Sequence, residues 1–105
     1  MYNKYISLEK VEEYDYLIDN DPGIPESLKQ SSIIREVCRA GYYLVEELEK
    51  LKCPESILVK IQWTAGKMSY GRDPWEVHQM VLDNYKNNTL VFDSDIPSKT
   101  SKVLN

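Results

Sequence analysis

The chain is poor in the residues from which many small proteins build chemical sites. Its 105 residues include two cysteines, one histidine and four scattered glycines. Cys38 and Cys53 lack metal-ligand spacing and form no disulfide framework, so we interpret them as reduced thiols. No glycine-rich phosphate loop and no nucleophile elbow is present, and we interpret His78 as a packed or solvated side chain rather than a catalytic one. We therefore predict no metal, no cofactor and no enzymatic activity.

Long apolar runs are also missing. No stretch approaches the roughly 18 apolar residues of a membrane helix, and residues 1–5 lack the apolar core of a signal peptide. We expect a cytoplasmic protein that makes no membrane contact. The chain is 42% hydrophobic and 29% charged, which is typical of one globular domain or of one small domain with an extension. Its net charge of −4 argues against a basic surface overall, but it allows one local cationic face.

Apolar spacing and capping residues predict four main helices. Apolar side chains recur every three or four residues in each of them. The predicted spans are 9–19, 31–51, 54–68 and 74–86. Ser7, Ser31 or Ser32, and Asp73 are the predicted N-caps, because their side-chain oxygens suit the free N–H groups of a first helical turn. A further helical turn is expected within residues 27–29.

Gly41 lies within the continuous apolar stripe of the 31–51 helix. Glycine inside a helix costs about 1 kcal/mol relative to alanine. Such a residue is often tolerated where another helix crosses closely. We therefore predict a close helix crossing at Gly41.

The N-terminal segment alternates loosely in polarity. Ile6 and Leu8 would share one face of a strand, and Asn3, Tyr5 and Ser7 the other. This alternation predicts a short strand over residues 2–8. A lone strand leaves its backbone groups unpaired, and the chain offers no clear partner strand. The pattern therefore favours pairing with a second subunit.

The order of strand, helix, turn and serine-capped helix over residues 2–45 resembles the ribbon-helix-helix family of dimeric DNA-binding proteins. The Ser31–Arg39 segment is the most informative, because residues 33–37 match an apolar-apolar-Arg-Glu-small run that recurs in this family. The resemblance implies a mostly α fold. In such a fold, the N-terminal strands of two subunits form an intersubunit two-stranded ribbon, here followed by a C-terminal helical extension.

The resemblance also implies roles for individual residues. In the family the ribbon enters the major groove, and the N-terminus of the second helix contacts a phosphate. The residues implied to contact bases are Asn3, Lys4, Tyr5 and Ser7, and those implied to contact phosphates are Ser31 and Ser32. The residues implied to fill the dimer core are Ile6, Leu8, Ile34, Val37 and Leu44.

The expected organisation has three parts. Residues 1–51 would dimerise and bind DNA, residues 52–92 would form the helical extension, and residues 93–105 would be a flexible tail. The predicted function is sequence-specific binding of double-stranded DNA by a homodimer that acts as a small transcriptional repressor or as a plasmid or viral accessory factor. The alternative is a small acidic virus- or plasmid-encoded protein that binds and inhibits a host protein, which would explain the net charge of −4.

The extension carries both tryptophans of the chain, Trp63 and Trp75. They predict either a small core or a partner-binding patch, and the sequence leaves this choice open. Lys60, Lys67 and Arg72 give the same segment a modest basic side. Residues 52–92 are therefore a possible site for a protein partner.

Overall fold

The structure is a computed structural model that describes residues 4–90. Helices make up 71% of these residues, so the mostly α prediction is confirmed. The helices are α1 (Leu8–Asp19), α2 (Glu26–Lys29), α3 (Ser32–Lys50), α4 (Glu55–Met68) and α5 (Pro74–Lys86). They match the four predicted helices and the predicted turn within one or two residues. Asn3 and the predicted tail, residues 93–105, lie outside the described residues.

Side-chain caps explain where three of these helices begin. The Ser7 hydroxyl accepts a hydrogen bond from the N–H group three residues later, at 3.3 Å. Ser31 makes the same contact at the start of α3, at 3.2 Å. The Asp73 carboxylate accepts from the N–H of Trp75 at 3.1 Å. Each cap satisfies a donor that the helix itself leaves free, and all three predicted N-caps are confirmed.

Two of the helices end on a residue in the left-handed region of backbone space. Lys52 follows α3 with φ of 59°, and Asn88 follows α5 with φ of 58°. After α3, the N–H of Cys53 reaches back to the carbonyl of Leu48 at 3.1 Å. This is a Schellman-type ending, which satisfies a carbonyl that the helix itself leaves free.

The central helix is α3, which packs against α1, α2, α4 and α5. The predicted boundary at residue 51 therefore separates helices that pack on the same central helix: α1 and α2 before it, and α4 and α5 after it. The main core lies where α3, α4 and α5 meet and consists of Leu44, Leu48, Ile61, Ala65, Val77, Val81 and Leu82. A second cluster joins the N-terminal segment and α1 to α3 and the start of α5, and consists of Ile6, Val11, Tyr14, Ala40 and Trp75.

The predicted N-terminal strand, and with it the ribbon-helix-helix fold, is wrong. None of residues 4–90 forms a strand, and α1 begins at Leu8, inside the predicted strand. The physical reason is that the segment finds its partners within its own chain. Ile6 is 6% exposed in the second cluster, and the ring of Tyr5 stacks on Trp75. The loose alternation thus reflects burial against helices, so no partner strand from a second subunit is required.

The prediction of a close helix crossing at Gly41 is also wrong. A methyl group added there would meet nothing within 4 Å among residues 4–90, apart from its own helix backbone and its sequence neighbours. The glycine therefore does not serve to admit a second helix of the same chain.

Candidate functional site

The residues implied to contact DNA bases lie at the start of the chain, where two of them have contacts within the fold. Tyr5 is half-buried, and its ring is nearly parallel to that of Trp75, with 5.7 Å between the centroids. Ser7 caps α1. Lys4 is exposed, with its ammonium group 5.3 Å from the centroid of the Tyr5 ring. Asn3 lies outside the described residues.

The residues implied to contact phosphates lie at the N-terminus of α3. The Ser31 hydroxyl is engaged as the N-cap, and Ser32 is the exposed first residue of the helix. Ser32 lines a groove of about 540 Å³ together with Arg35 and Arg39. Both arginines form ion pairs with Asp15, at 3.2 and 2.7 Å. Much of the positive charge of this groove is therefore neutralised within the fold.

The residues implied to fill a dimer core do not form one group. Ile6 and Leu44 are buried, but in two different clusters of the same chain. Leu8 is 58% exposed on α1. Ile34 and Val37 are half-buried on α3. The structure therefore assigns Ile6 and Leu44 to the core of the single chain.

His78 is packed inside the protein beside Ser69. Its Nδ1 lies 2.7 Å from the carbonyl oxygen of Pro74, which can only accept, so Nδ1 carries the proton. The Ser69 hydroxyl donates to the carbonyl of Ala65 at 2.7 Å and lies 3.3 Å from Nδ1. Burial lowers the pKa of His78. Because Nδ1 has no free lone pair, it cannot take the serine proton, and the pair is structural.

The interior of the described part offers no other starting point for a site. Among residues 4–90, no buried side-chain nitrogen or oxygen lacks a hydrogen-bond partner. Within the same range, no group of three or more histidine, cysteine or acidic side chains is arranged to hold a metal ion. No helix in this part of the chain is long and apolar enough to cross a membrane.

The most distinctive surface feature is an apolar groove along α4, which we call the outer face of α4. It is open, has a volume of about 600 Å³ and is lined by Val59, Gln62, Trp63, Gly66, Lys67 and Tyr70. Side chains three and four residues apart share one side of a helix, which explains why these residues meet. Val59 is 57% exposed, Trp63 45% and Tyr70 94%. Three large apolar or aromatic side chains thus face solvent together.

The opposite side of α4 already supplies the apolar contacts that the fold requires. Ile61 and Ala65 are fully buried in the main core, and Ile57, Leu58 and Met68 pack against it. A surface helix of a globular protein normally has one apolar stripe facing the core and a polar side facing water. α4 departs from this pattern because it has apolar side chains on both sides. The outer stripe is not explained by folding of the described residues.

Gly66 lies in the middle of this outer face. Its backbone does not adopt a positive φ, and an added methyl group would meet nothing within 4 Å among the described residues beyond its own helix and neighbours. Neither backbone geometry nor packing within residues 4–90 requires glycine here. Because glycine has no side chain, the helix surface is recessed between Trp63 and Tyr70, and another molecule can approach the helix backbone closely there.

The charge around the outer face differs in sign from that of the chain. Residues 56–72 contain Lys60, Lys67 and Arg72 and no aspartate or glutamate, whereas the whole chain has a net charge of −4. Lys67 lines the groove itself, whereas Lys60 is half-buried and lies outside the groove lining. The outer face is therefore an aromatic surface whose lining includes one lysine and no carboxylate.

Sequence reasoning found part of this surface. It singled out Trp63 and the basic side chains, but it missed Val59, Gly66 and Tyr70. Two signals in the sequence point to this surface. Val59 and Trp63 are four residues apart on a helix whose core positions are already filled by other residues, and no acidic residue occurs between Glu55 and Asp73.

Comparisons of the chain with protein-family models, with curated protein sequences and with solved structures found no match.

Proposed function

We propose that this chain is a protein-binding module whose binding surface is the outer face of α4. The observation that carries the proposal is the joint exposure of Trp63 and Tyr70 in one groove with Val59. Tryptophan and tyrosine are enriched among the few residues that dominate binding energy at protein interfaces, because they bury a large rigid surface. Their placement in one groove, with Trp63 on α4 and Tyr70 in the turn that follows it, supports a binding role better than it supports a structural one.

Energetics support the same proposal. Burying apolar surface contributes about 25 cal/mol per Å², and a tryptophan or tyrosine can bury about 150–250 Å². Leaving such side chains exposed in one groove forgoes this stabilisation and favours association with other molecules. Binding of a partner to the outer face of α4 would cover them.

Inhibition of a host protein by the bound chain stays a prediction, since the described residues do not test it. Sequence-specific DNA binding also stays a prediction, but the strand that was expected to contact the bases does not form among the described residues. Two of the side chains expected to contact bases, Tyr5 and Ser7, have intramolecular roles in stacking and capping. We therefore favour a protein partner.

In-cell photo-crosslinking tests the proposal. A photoreactive phenylalanine derivative replaces Tyr70 in one variant and Tyr16 in another, in cells of the organism that encodes the chain. Tyr16 is the matched control because it is also an exposed tyrosine, 68% exposed on α1. We expect a specific protein adduct from position 70 and none of the same size from position 16. Equal adducts from both positions, or none from position 70, would contradict the proposal.

A further inference from the structure

We infer that the partner presents a proline-rich segment in the polyproline II conformation to the outer face of α4. This inference rests on the proposed function and adds the chemistry of the partner. Four properties of the face within residues 4–90 support it: unused hydrogen-bond donors, aromatic rings without stacking partners, the length of the groove and the small area that is exposed.

The two tryptophans of the chain differ in how the fold uses them. Trp75 is 5% exposed, its indole N–H donates to Glu36, and its ring stacks on that of Tyr5. Trp63 is 45% exposed, and within residues 4–90 its N–H has no acceptor and its ring has no stacking partner. Folding therefore engages Trp75 fully and leaves Trp63 available to a ligand.

Two further polar groups of the groove are also unused. The Gln62 side chain is exposed and that of Tyr70 is 94% exposed, and neither forms a hydrogen bond in the part of the chain that the structure describes. Together with the indole N–H of Trp63, the amide and the hydroxyl give the groove three donor groups beside an apolar surface. A matching ligand has free carbonyl oxygens and an apolar outline.

A polyproline II helix has such a backbone. It forms no internal hydrogen bonds, so its carbonyls can accept from the groove, and each proline removes an N–H that would need an acceptor. An α-helix uses its carbonyls internally, except in its last turn. A strand binds to the edge of a sheet, and residues 4–90 contain no strand to supply one. The donors of the groove therefore favour a proline-rich segment over both alternatives.

The aromatic rings and the length of the groove suit the same ligand. Proline-rich segments bind grooves lined by aromatic side chains, because the polyproline II helix is already formed and loses little entropy on binding. Val59 and Lys67 are eight residues apart, which corresponds to about 12 Å along α4. The two prolines of a Pro-x-x-Pro segment are about 9 Å apart, so both fit within this length.

The small exposed area favours a short segment over a second copy of the chain. An aromatic side chain can bury about 150–250 Å², so the exposed fractions of Trp63 and Tyr70 correspond to about 200–350 Å². A stable protein–protein interface buries about 800 Å² on each partner. The two aromatic side chains therefore supply less than half of the area that a stable dimer needs.

Single-stranded nucleic acid is the main competing ligand, since exposed aromatic side chains also stack on bases. Proteins that bind it use a cationic groove that tracks the phosphate backbone. The groove on α4 has one lysine in its lining, and Val59 offers no ring for stacking. A proline-rich segment uses the rings and the donors without requiring phosphate contacts, and we therefore favour it.

Selection from a random library of 12-residue peptides displayed on phage tests the inference. The target is the full chain, and the counter-targets are Trp63→Ala and Tyr70→Ala, which remove peptides that bind elsewhere. Circular dichroism first establishes that both variants are folded. We expect enriched peptides to contain Pro-x-x-Pro. Replacing either proline of a selected peptide by alanine should weaken binding about tenfold or more, as measured by fluorescence anisotropy.

A matched pair of variants tests the donors of the groove. Gln62→Glu replaces the amide by a carboxylate of nearly the same shape, so it removes two N–H donors and places negative charge opposite the ligand carbonyls. Gln30→Glu makes the same change at an exposed position after α2. We expect Gln62→Glu to bind a selected peptide about three- to tenfold more weakly and Gln30→Glu to bind it as the unaltered chain does. Equal affinities of the two variants would overturn the inference.

The outcomes separate this inference from the proposed function. Enriched peptides that depend on Trp63 but lack proline would overturn the proline-rich partner and leave the protein-binding role intact. Failure to enrich any Trp63-dependent peptide would also overturn this inference, whereas the crosslink at position 70 decides the proposed function separately. Two further assays use fluorescent oligothymidylate and sedimentation of the chain alone. Binding or self-association that Trp63→Ala abolishes would make nucleic acid or a second copy the occupant and overturn the inference.

Discussion

The guanidinium group of Arg39 holds one carboxylate oxygen of Asp15 with two hydrogen bonds, from Nε at 2.9 Å and from Nη2 at 2.7 Å. Arg35 reaches the same oxygen at 3.2 Å. Asp15 lies on α1 and both arginines lie on α3. Asp15 therefore helps to hold α1 against the central helix, together with the Arg35–Asp19 and Lys10–Glu46 ion pairs between the same two helices.

Asp15→Asn should destabilise the protein by about 1–3 kcal/mol, the range expected when a hydrogen bond to a charged group is lost and its partner is left partly desolvated. The side chains of Arg35 and Arg39 are 19% and 14% exposed, so water compensates them only in part. Urea denaturation followed by circular dichroism measures the change. Glu47→Gln is the control, because it breaks a pair with Lys50, whose side chain is 71% exposed. Such a surface pair is worth about 0–1 kcal/mol. Equal losses in the two variants would contradict this account.

Tyr5→Ala should lower the free energy of unfolding by about 1–3 kcal/mol, because it removes an aromatic ring that stacks on Trp75 and lies 6.2 Å from that of Tyr43. Tyr5→Phe keeps the ring and should retain most of this stability. Denaturation followed by tryptophan fluorescence measures both. If Tyr5→Ala unfolds at the same denaturant concentration as the unaltered chain, the N-terminal segment does not pack as described.

Features that depend on neighbouring residues were predictable from the sequence, and features that depend on distant residues were not. Helix starts at Ser7, Ser31 and Asp73 were predictable because a cap acts on N–H groups two or three residues away. The N-terminal segment was not predictable in this way. Its conformation depends on Tyr5 meeting Trp75, 70 positions later in the chain, and a few residues of alternation cannot distinguish such a contact from a strand.

The pH dependence of stability should report His78, the single histidine of the chain. Burial lowers its pKa below the ordinary value of 6.5. As the pH falls through 6.5 the unfolded chain takes up the proton first, so the free energy of unfolding decreases, by at most about 1.4 kcal/mol per pH unit. His78→Asn keeps an N–H donor near Pro74 and cannot titrate. We expect its stability to change less between pH 7.0 and 5.5 in thermal unfolding. An identical slope in the two proteins would show that His78 is not responsible.

Gly66→Ala and Gly41→Ala should each raise the free energy of unfolding by about 0.5–1 kcal/mol, since alanine is favoured inside helices. In both cases the added methyl group enters open space. Gly71→Ala should do the opposite, because Gly71 has a φ of 73°. Thermal unfolding of the three variants measures the signs. A destabilised Gly66→Ala would mean that the glycine has a structural role within the chain.

Substitutions of the two helical glycines should differ in their effect on partner binding. Gly66→Ala adds a methyl group to the recessed centre of the outer face of α4, whereas Gly41→Ala adds a methyl group to α3. We expect the first to weaken binding of the protein that crosslinks at position 70 and the second to leave it unchanged, as measured by titration calorimetry. Equal affinities for the two variants would place the partner away from Gly66.

The candidate site was only partly predictable from sequence. Trp63 was recognisable as either a core or an interface residue, and nothing local decides between the two. The choice depends on which side of α4 turns toward the core, and this is set by Ile61 and Ala65 packing among residues of α3 and α5. Once that side is known, the exposure of Val59 and Trp63 follows from helix geometry.

The most direct test of a protein-binding role is the affinity of Trp63→Ala for the purified protein that crosslinks at position 70, measured by titration calorimetry. Tyr16→Ala is measured beside it as the matched surface control. The account predicts that Trp63→Ala binds about thirtyfold more weakly or worse, the loss expected at an interface hot spot, with an unchanged unfolding temperature and with full affinity in Tyr16→Ala. A Trp63→Ala variant that binds as tightly as the unaltered chain would contradict the account.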